Sequence, residues 1–335
     1  MKPVDLRSDT VTKPTPQMLE AMFSAQVGDD VLGDDPSVIA LEREAARLAG
    51  MEAALFTPSG TMANQIAIRC HTQPGDEVIM EEGAHPYHYE AGAAAVISGV
   101  QIRLVKGRAG VLDPDTLFAA VRPENVHFAP ASLICVENTA NRGGGTVYPQ
   151  GILDAIGRGA RERGLKAHMD GARVFNAVVA SGQPLSRVLQ EFDSVAFCLS
   201  KGLGAPVGSI LAGSAEMIHT ARRVRKLLGG GMRQAGYLAA AGSYALEHHV
   251  LRLADDHERA QRLAQGLAEL GFGVNVPDTN MVYVELPDAH AAQAQLEALG
   301  VHCIAIRDDA IRLVTHLDVD DAGISRALEG FAGLR

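Results

Sequence analysis

No apolar run in the chain approaches the roughly 18 residues that a membrane-spanning helix requires. The opening, Met1-Lys2-Pro3-Val4-Asp5-Leu6-Arg7-Ser8-Asp9, has no apolar signal core, so a cytosolic protein with no membrane partner is expected. Positive charge is in deficit: 30 lysines and arginines stand against 40 aspartates and glutamates, a net charge of −10. A nucleic-acid partner is therefore not expected. Cysteine is scarce. Cys70, Cys135, Cys198 and Cys303 form no C-x-x-C pair, and three of them lie in apolar segments, which reads as buried reduced thiols. No H-E-x-x-H occurs, and His248 and His249 are adjacent, so they would point in different directions on a helix. No metal site is expected. No G-x-G-x-x-G follows a strand-like run, which sets aside a nicotinamide dehydrogenase.

What is present is alternation. The 335 residues, 47% of them hydrophobic, allow one large domain and a smaller one. Apolar runs at 53–57, 77–80, 101–105, 133–137, 165–169, 194–199 and 209–212 predict strands, with helical patterns between most of them. Asp35-Pro36 followed by Val38, Ile39, Leu41, Ala45 and Leu48, and closed by Gly50, predicts a capped helix. The expected fold class is α/β: a large domain with a mostly parallel, seven-stranded-type sheet covered by helices on both faces. After about residue 247 the pattern changes to a charged helix at 250–270, strands near Val274, 281–285, Ile304 and 311–314, a helix at 290–299 and a terminal helix. This predicts a small α+β domain at 248–335 after a large one at 1–247.

Two segments carry most of the chemical information. Lys201 lies in Cys198-Leu199-Ser200-Lys201-Gly202-Leu203-Gly204, and Asp170 in His168-Met169-Asp170-Gly171-Ala172-Arg173, each just past a predicted buried strand. A lysine and a carboxylate at successive strand ends are costly to bury unless paired or used. Pyridoxal 5'-phosphate uses both, taking a lysine on its aldehyde and a carboxylate at its ring nitrogen. Asp170 could also cap the helix starting at Ala172. Thr57-Pro58-Ser59-Gly60-Thr61 joins a strand to a helix start, where free backbone N–H groups and the Ser59 and Thr61 hydroxyls would cradle a phosphate. His85, just past the 77–80 strand, could stack on a flat cofactor or stand in a surface loop. Arg173 and Arg312 suit a substrate carboxylate clamp. Arg312 sits in the apolar run Ile311-Arg312-Leu313-Val314, so it is either an edge residue with its head in water or a site residue, and by itself the run favours the edge. The basic stretch Arg222-Arg223-Val224-Arg225-Lys226 reads as a solvated helix face, and Arg233 follows three glycines at the opening of the next helix.

Taken together these segments resemble the L-threonine aldolases, pyridoxal-phosphate enzymes of the aspartate-aminotransferase fold type. The likeness runs from Asp5-Leu6-Arg7-Ser8-Asp9-Thr10-Val11-Thr12, through Val27-Gly28-Asp29-Asp30-Val31, Glu137-Asn138-Thr139 and Gly229-Gly230-Gly231-Met232-Arg233-Gln234, to Arg312-Leu313-Val314-Thr315-His316. It implies low-specificity cleavage of L-threonine and L-allo-threonine to glycine and acetaldehyde. It implies Lys201 as the Schiff-base lysine, Asp170 at the pyridine nitrogen, His85 stacked on the ring, and Gly60 and Thr61 at the phosphate. Arg233 would reach that phosphate from a neighbouring subunit, in a homotetramer whose sites are shared. Ser8, Arg173 and Arg312 would bind the substrate carboxylate, with Tyr89 beside them, and His127 would stand near the substrate hydroxyl. His85 and His127 are both open as the base, directly or through water. One departure is local: Asn138-Thr139 is followed by Ala140-Asn141-Arg142, where relatives commonly have His-Asn directly. A β-eliminating lyase or an amino-acid racemase on the same fold would need the same lysine, aspartate and phosphate loop.

Overall fold

Mostly apolar runs suit strands covered on both faces, and here seven strands assemble into one sheet. A computed structural model describes residues 3–334; Met1, Lys2 and Arg335 lie outside the described residues. In chain order the strands are β1 Val4–Asp5, β2 Ala53–Thr57, β3 Glu77–Glu81, β4 Gln101–Val105, β5 Ala131–Glu137, β6 Lys166–Asp170, β7 Ser194–Cys198, β8 Ser209–Gly213, β9 Gly273–Val274, β10 Met281–Glu285, β11 Val301–His302, β12 Ile304–Arg307 and β13 Ala310–Val314. The central sheet has seven strands in the order β2-β8-β7-β6-β5-β3-β4. Only β8 runs against its neighbours.

Alternate side chains leave the sheet on opposite faces. Ala54 and Phe56 of β2, with Val195 and Phe197 of β7, enter one core, which also receives Leu41 of helix Pro36–Ala49, Leu153 and Ile156 of helix Gln150–Glu162, and Ala239 of helix Gly236–His248. Leu55 and Ala196 face the other way, against Ile66 of helix Gly60–His71 and Ile218 of helix Ala215–Leu227. Helices therefore cover both faces, as the alternation predicts. Helix Pro36–Ala49 begins and ends where its caps require: Asp35 accepts the N–H groups of Ser37 and Val38, and Gly50 closes it in the left-handed region.

A second core gathers Leu263 and Leu267 of helix Leu253–Glu269, Val282 and Val284 of β10, Ile311 and Leu313 of β13, and Ile324 and Phe331 of the last helix. Its sheet is antiparallel, in the order β12-β13-β10-β9. Val4 and Leu6 belong to this core too, because β1 pairs in parallel with β11. The helix expected at 250–270 starts only at Leu253, after a turn at 250–252. Two expectations change. Arg312 is not on an edge, since β13 is bonded to β12 on one side and β10 on the other. The basic stretch is not uniformly solvated: Arg225 is buried against Asp30 (2.8 Å) and donates to the Phe56 carbonyl, while Arg222 pairs with Glu42.

Candidate active site

The parallel strands β3, β5, β6 and β7 end on one edge of the sheet, and in open α/β sheets this is where ligands bind. Asp170 closes β6. It is buried, with Oδ1 accepting the Ala172 N–H at 3.1 Å and Oδ2 accepting Asn64 Nδ2 at 2.9 Å. It closes the turn after β6 and lines the site, but it is not a helix cap: the next helix runs Val174–Ser181, begins later than Ala172, and has Arg173 at its N-cap with no side-chain capping bond. Lys201 follows β7 in a tight loop. Its carbonyl accepts the Gly204 N–H and lies 2.8 Å from the Thr12 hydroxyl. Gly204 turns there with φ +79°, a conformation that suits glycine.

Ser59, Gly60 and Thr61 lie where β2 runs into helix Gly60–His71. The Ser59 hydroxyl caps the helix by accepting the Met62 N–H at 3.2 Å. First-turn N–H groups have no partner inside a helix and bear the positive end of its dipole. Gly60 has no room for a side chain, since a Cβ there would lie 2.7 Å from Cys198 Sγ. Ser59, Gly60, Thr61, Asn64, Asp170 and Lys201 line one cavity of about 310 Å³. A second, of about 460 Å³, holds Ser8, Tyr89, Asn141, Arg173 and Arg312. His85 and Lys201 line both.

His85 Nδ1 lies 2.9 Å from Glu90 Oε1, and its backbone N–H donates to Glu137 Oε2 at 2.7 Å. Burial would lower the imidazole pKa. The bond to Glu90 and the charge of Asp170 outweigh it, so the ring keeps its proton above the ordinary range. Glu137, at the end of β5, also accepts the Asn141 N–H at 2.7 Å. Burial, with Asp170 nearby, pushes its carboxyl up to about 7 against those two N–H groups. The His85 ring is tilted against Tyr89, centroids 5.4 Å apart. Ligand atoms of His85, Glu90 and Asp170 approach within 4.8 Å of one another, and Asn64 Nδ2 donates to both carboxylates between them.

Arg173 and Arg312 come together although they arise from different sheets. Arg173 is held by a buried bidentate pair with Asp9, at 2.8 and 2.6 Å, and that pairing depresses the Asp9 carboxyl against its own burial. Arg312 Nη1 donates to Asn141 Oδ1 at 3.0 Å, and Arg173 Nη1 lies 3.5 Å from the same oxygen. Two guanidinium groups thus converge on one acceptor. Arg312 Nε is buried without a hydrogen-bond partner among the described residues, and burial with Arg173 alongside lowers its pKa. Ser8 sits beside them, accepting the Thr10 N–H at 3.2 Å.

Two expected residues stand apart within one chain. His127 is exposed in the loop leading into β5, at the strand's opposite end from Glu137, and seven residues of strand span roughly 20 Å. Arg233 is exposed, pairs with Asp29 at 2.9 Å, and does not line either cavity. Four residues that sequence reasoning did not single out prove central: Asp9, Asn64, Glu90 and Asn141. Asp9 and Asn141 lie inside quoted motifs, but their partners are far along the chain. Asn64 and Glu90 carried no local signal.

Comparisons with known proteins identify the family. The family model described as beta-eliminating lyase matches residues 5–289. The low specificity L-threonine aldolase of Escherichia coli K12 is 48% identical over 317 residues, 94% of each chain. The low-specificity L-threonine aldolase 1 of Arabidopsis thaliana is 43% identical over 343 residues, covering 99% of this chain and 96% of its own. The solved threonine aldolase of Leishmania major superposes with a TM-score of 0.87, covering 99% of both chains at 21% identity, a likeness of fold. A lysine, an aspartate and a helix start facing one cavity, in a chain with this degree of identity over nearly its full length, place it in the beta-eliminating lyase family, among the low-specificity L-threonine aldolases.

Proposed function

We propose that this protein is a pyridoxal-phosphate-dependent aldehyde-lyase that cleaves L-threonine and L-allo-threonine to glycine and acetaldehyde. The observation that carries the reading is the convergence of Lys201, Asp170 and the Gly60 helix start on one cavity, with the Arg173–Arg312 pair in the next. The donor set suits the cofactor: an amine, a carboxylate, an imidazole and a helix start crowded against Cys198, all lining one cavity. Bound there, pyridoxal phosphate supplies the electron sink that makes a Cα–Cβ bond breakable.

The residues have separable tasks. Lys201 Nζ offers the amine that holds the aldehyde. Asp170 would pair with the ring nitrogen and keep it protonated. Ser59, Gly60 and Thr61 hold the phosphate, assisted by Arg233 from a neighbouring subunit. Arg312 Nη1 and Arg173 Nη1 bind the substrate carboxylate beside Asn141, with Ser8 and Tyr89 at its margin. His85 would stack on the ring, and its Nε2 would be the nitrogen that exchanges a proton near the substrate hydroxyl, since Nδ1 is committed to Glu90. His127, exposed on each chain, acts at the site of another copy. In this reading residues 1–247 hold the cofactor and 248–335 contribute Arg312, in a cytosolic homotetramer. The test is an absorbance spectrum of the purified protein with pyridoxal phosphate, then L-allo-threonine with assay of acetaldehyde. A near-visible band with acetaldehyde release is expected. Ammonia and a keto acid instead would turn the reaction to β-elimination, and no band at all would overturn the cofactor.

A further inference from the structure

Behind Asp170 a line of polar side chains, half-buried at His71 and buried beyond it, runs between helix Gly60–His71 and strands β6 and β7. His71 Nε2 lies 2.8 Å from Ser194 Oγ, which lies 2.8 Å from His168 Nδ1, and His168 Nε2 is 3.2 Å from Asn64 Oδ1. Asn64 Nδ2 then donates at 2.9 Å to both Asp170 Oδ2 and Glu90 Oε1. His168 and Ser194 are 0% exposed and Asn64 is 2% exposed, so each polar atom must find its partner within the protein. The expected role of Asp170 does not explain this line, because one hydrogen bond from Asn64 requires neither two histidines nor a serine.

The direction of every bond follows from one end. Two carboxylates accept from Asn64, so its amide nitrogen faces them and its oxygen faces His168. His168 Nε2 must then carry hydrogen. Burial holds its pKa near 3, so the ring is neutral and Nδ1 is bare. Ser194 has to donate to that bare nitrogen, which leaves its oxygen to accept from His71 Nε2–H. His71 is likewise kept neutral, with burial lowering its pKa to about 4.

We propose that His71, Ser194, His168 and Asn64 form a one-way hydrogen-bond relay that positions Asp170 and the His85–Glu90 pair relative to each other, with His168 fixed as the Nε2–H tautomer. These four are positioning residues; none of them needs to touch the substrate. Asn64 is the junction, since a flipped amide would set its oxygen against two carboxylates at once. The catalytic meaning of the relay rests on the pyridoxal-phosphate reading, but its hydrogen-bond direction does not.

The first experiment is ¹⁵N solid-state NMR of histidine-labelled protein without added cofactor, with His168 assigned by its loss in His168→Gln. A protonated-type Nε2 and an unprotonated-type Nδ1 are expected; the opposite tautomer or an imidazolium at His168 would overturn the relay. The second compares His168→Leu, which lacks the donor, with His168→Gln, whose amide keeps one. In the cofactor-loaded enzyme His168→Leu should lower kcat about tenfold with KM changed less than about twofold. It should also shift the pH at which the cofactor band titrates, and His168→Gln should recover both. An unchanged kcat and band in His168→Leu would overturn the positioning role. If wild type failed to form the band, the cofactor reading would fall, and the tautomer measurement would still decide the relay.

Discussion

Lys201 and His85 line the same two cavities, yet their substitution should be felt differently. Lys201→Ala removes the amine and little packing. Turnover should fall on the order of 10³-fold or more and the cofactor band should vanish, while the thermal midpoint without cofactor stays close to wild type. A retained band would contradict the assignment of this lysine. His85 bears on stability through its proton. Its folded pKa is raised above the ordinary 6.5 by Glu90 and Asp170, despite burial. The stabilisation from the charged pair is therefore fully present below about pH 6.5 and is lost as pH rises through the folded value. The thermal midpoint of wild type over His85→Asn, measured without cofactor, should show its largest gap near about pH 6 and close at higher pH. A gap that widened upward would contradict the His85–Glu90 pairing. Single residues were also where sequence reasoning was weakest. Lys201 and Asp170 were legible because a charge after a buried strand is anomalous in itself. Asp9 and Asn64 were not, because a carboxylate near a chain start and an asparagine inside a helix are ordinary until partners 164 and 106 positions away are known.

Helix Gly60–His71 serves the site at one end and the relay at the other, so its entry point is a sensitive place. Gly60→Ala would bring a Cβ to 2.7 Å from Cys198 Sγ, with the next atom, Ser209 Oγ, at 3.6 Å. We expect a loss of about 1–3 kcal/mol, the usual cost of overpacking, read by denaturant melting, together with weakened cofactor affinity. Because the collision is with one sulfur, Gly60→Ala combined with Cys198→Ala should regain most of the stability, whereas no recovery would place the strain in the backbone. Elements of this kind were largely readable in advance. All seven strands of the central sheet lie where the sequence predicts them; most are covered on both faces and largely apolar, whereas edge strand β4 alternates and leaves Gln101 and Leu104 exposed. Two-residue β1 was invisible, because two residues have no periodicity. Arg312 read as an edge residue because the neighbours of β13 are set by long-range pairing, which a local pattern does not contain.

At the scale of the whole molecule, the exposed large side chains Phe23, Leu32, Leu227 and Tyr237 and the outward position of Arg233 accord with a site completed by another copy. Subunit mixing tests this directly. Lys201→Ala and Arg233→Ala are each expected to be poorly active alone. Co-refolded in equal amounts, they should yield about a quarter of wild-type activity, since a mixed pair contains one site with both residues intact. No gain on mixing would mean that Arg233 acts within its own chain or not at all. The pairing of β1 with β11 has a further consequence, which concerns biosynthesis. Val4 leaves the ribosome early and Val301 late, about 300 positions apart. The lysine-bearing sheet can assemble while translation continues, but Val4, Asp5 and Leu6 find their strand partners only after β11 has emerged, and Arg312 arrives later still. A nascent chain stalled short of residue 301 should therefore hold a lysine cavity with no finished carboxylate clamp. Arg173 waits for its partner guanidinium until the ribosome has passed residue 312.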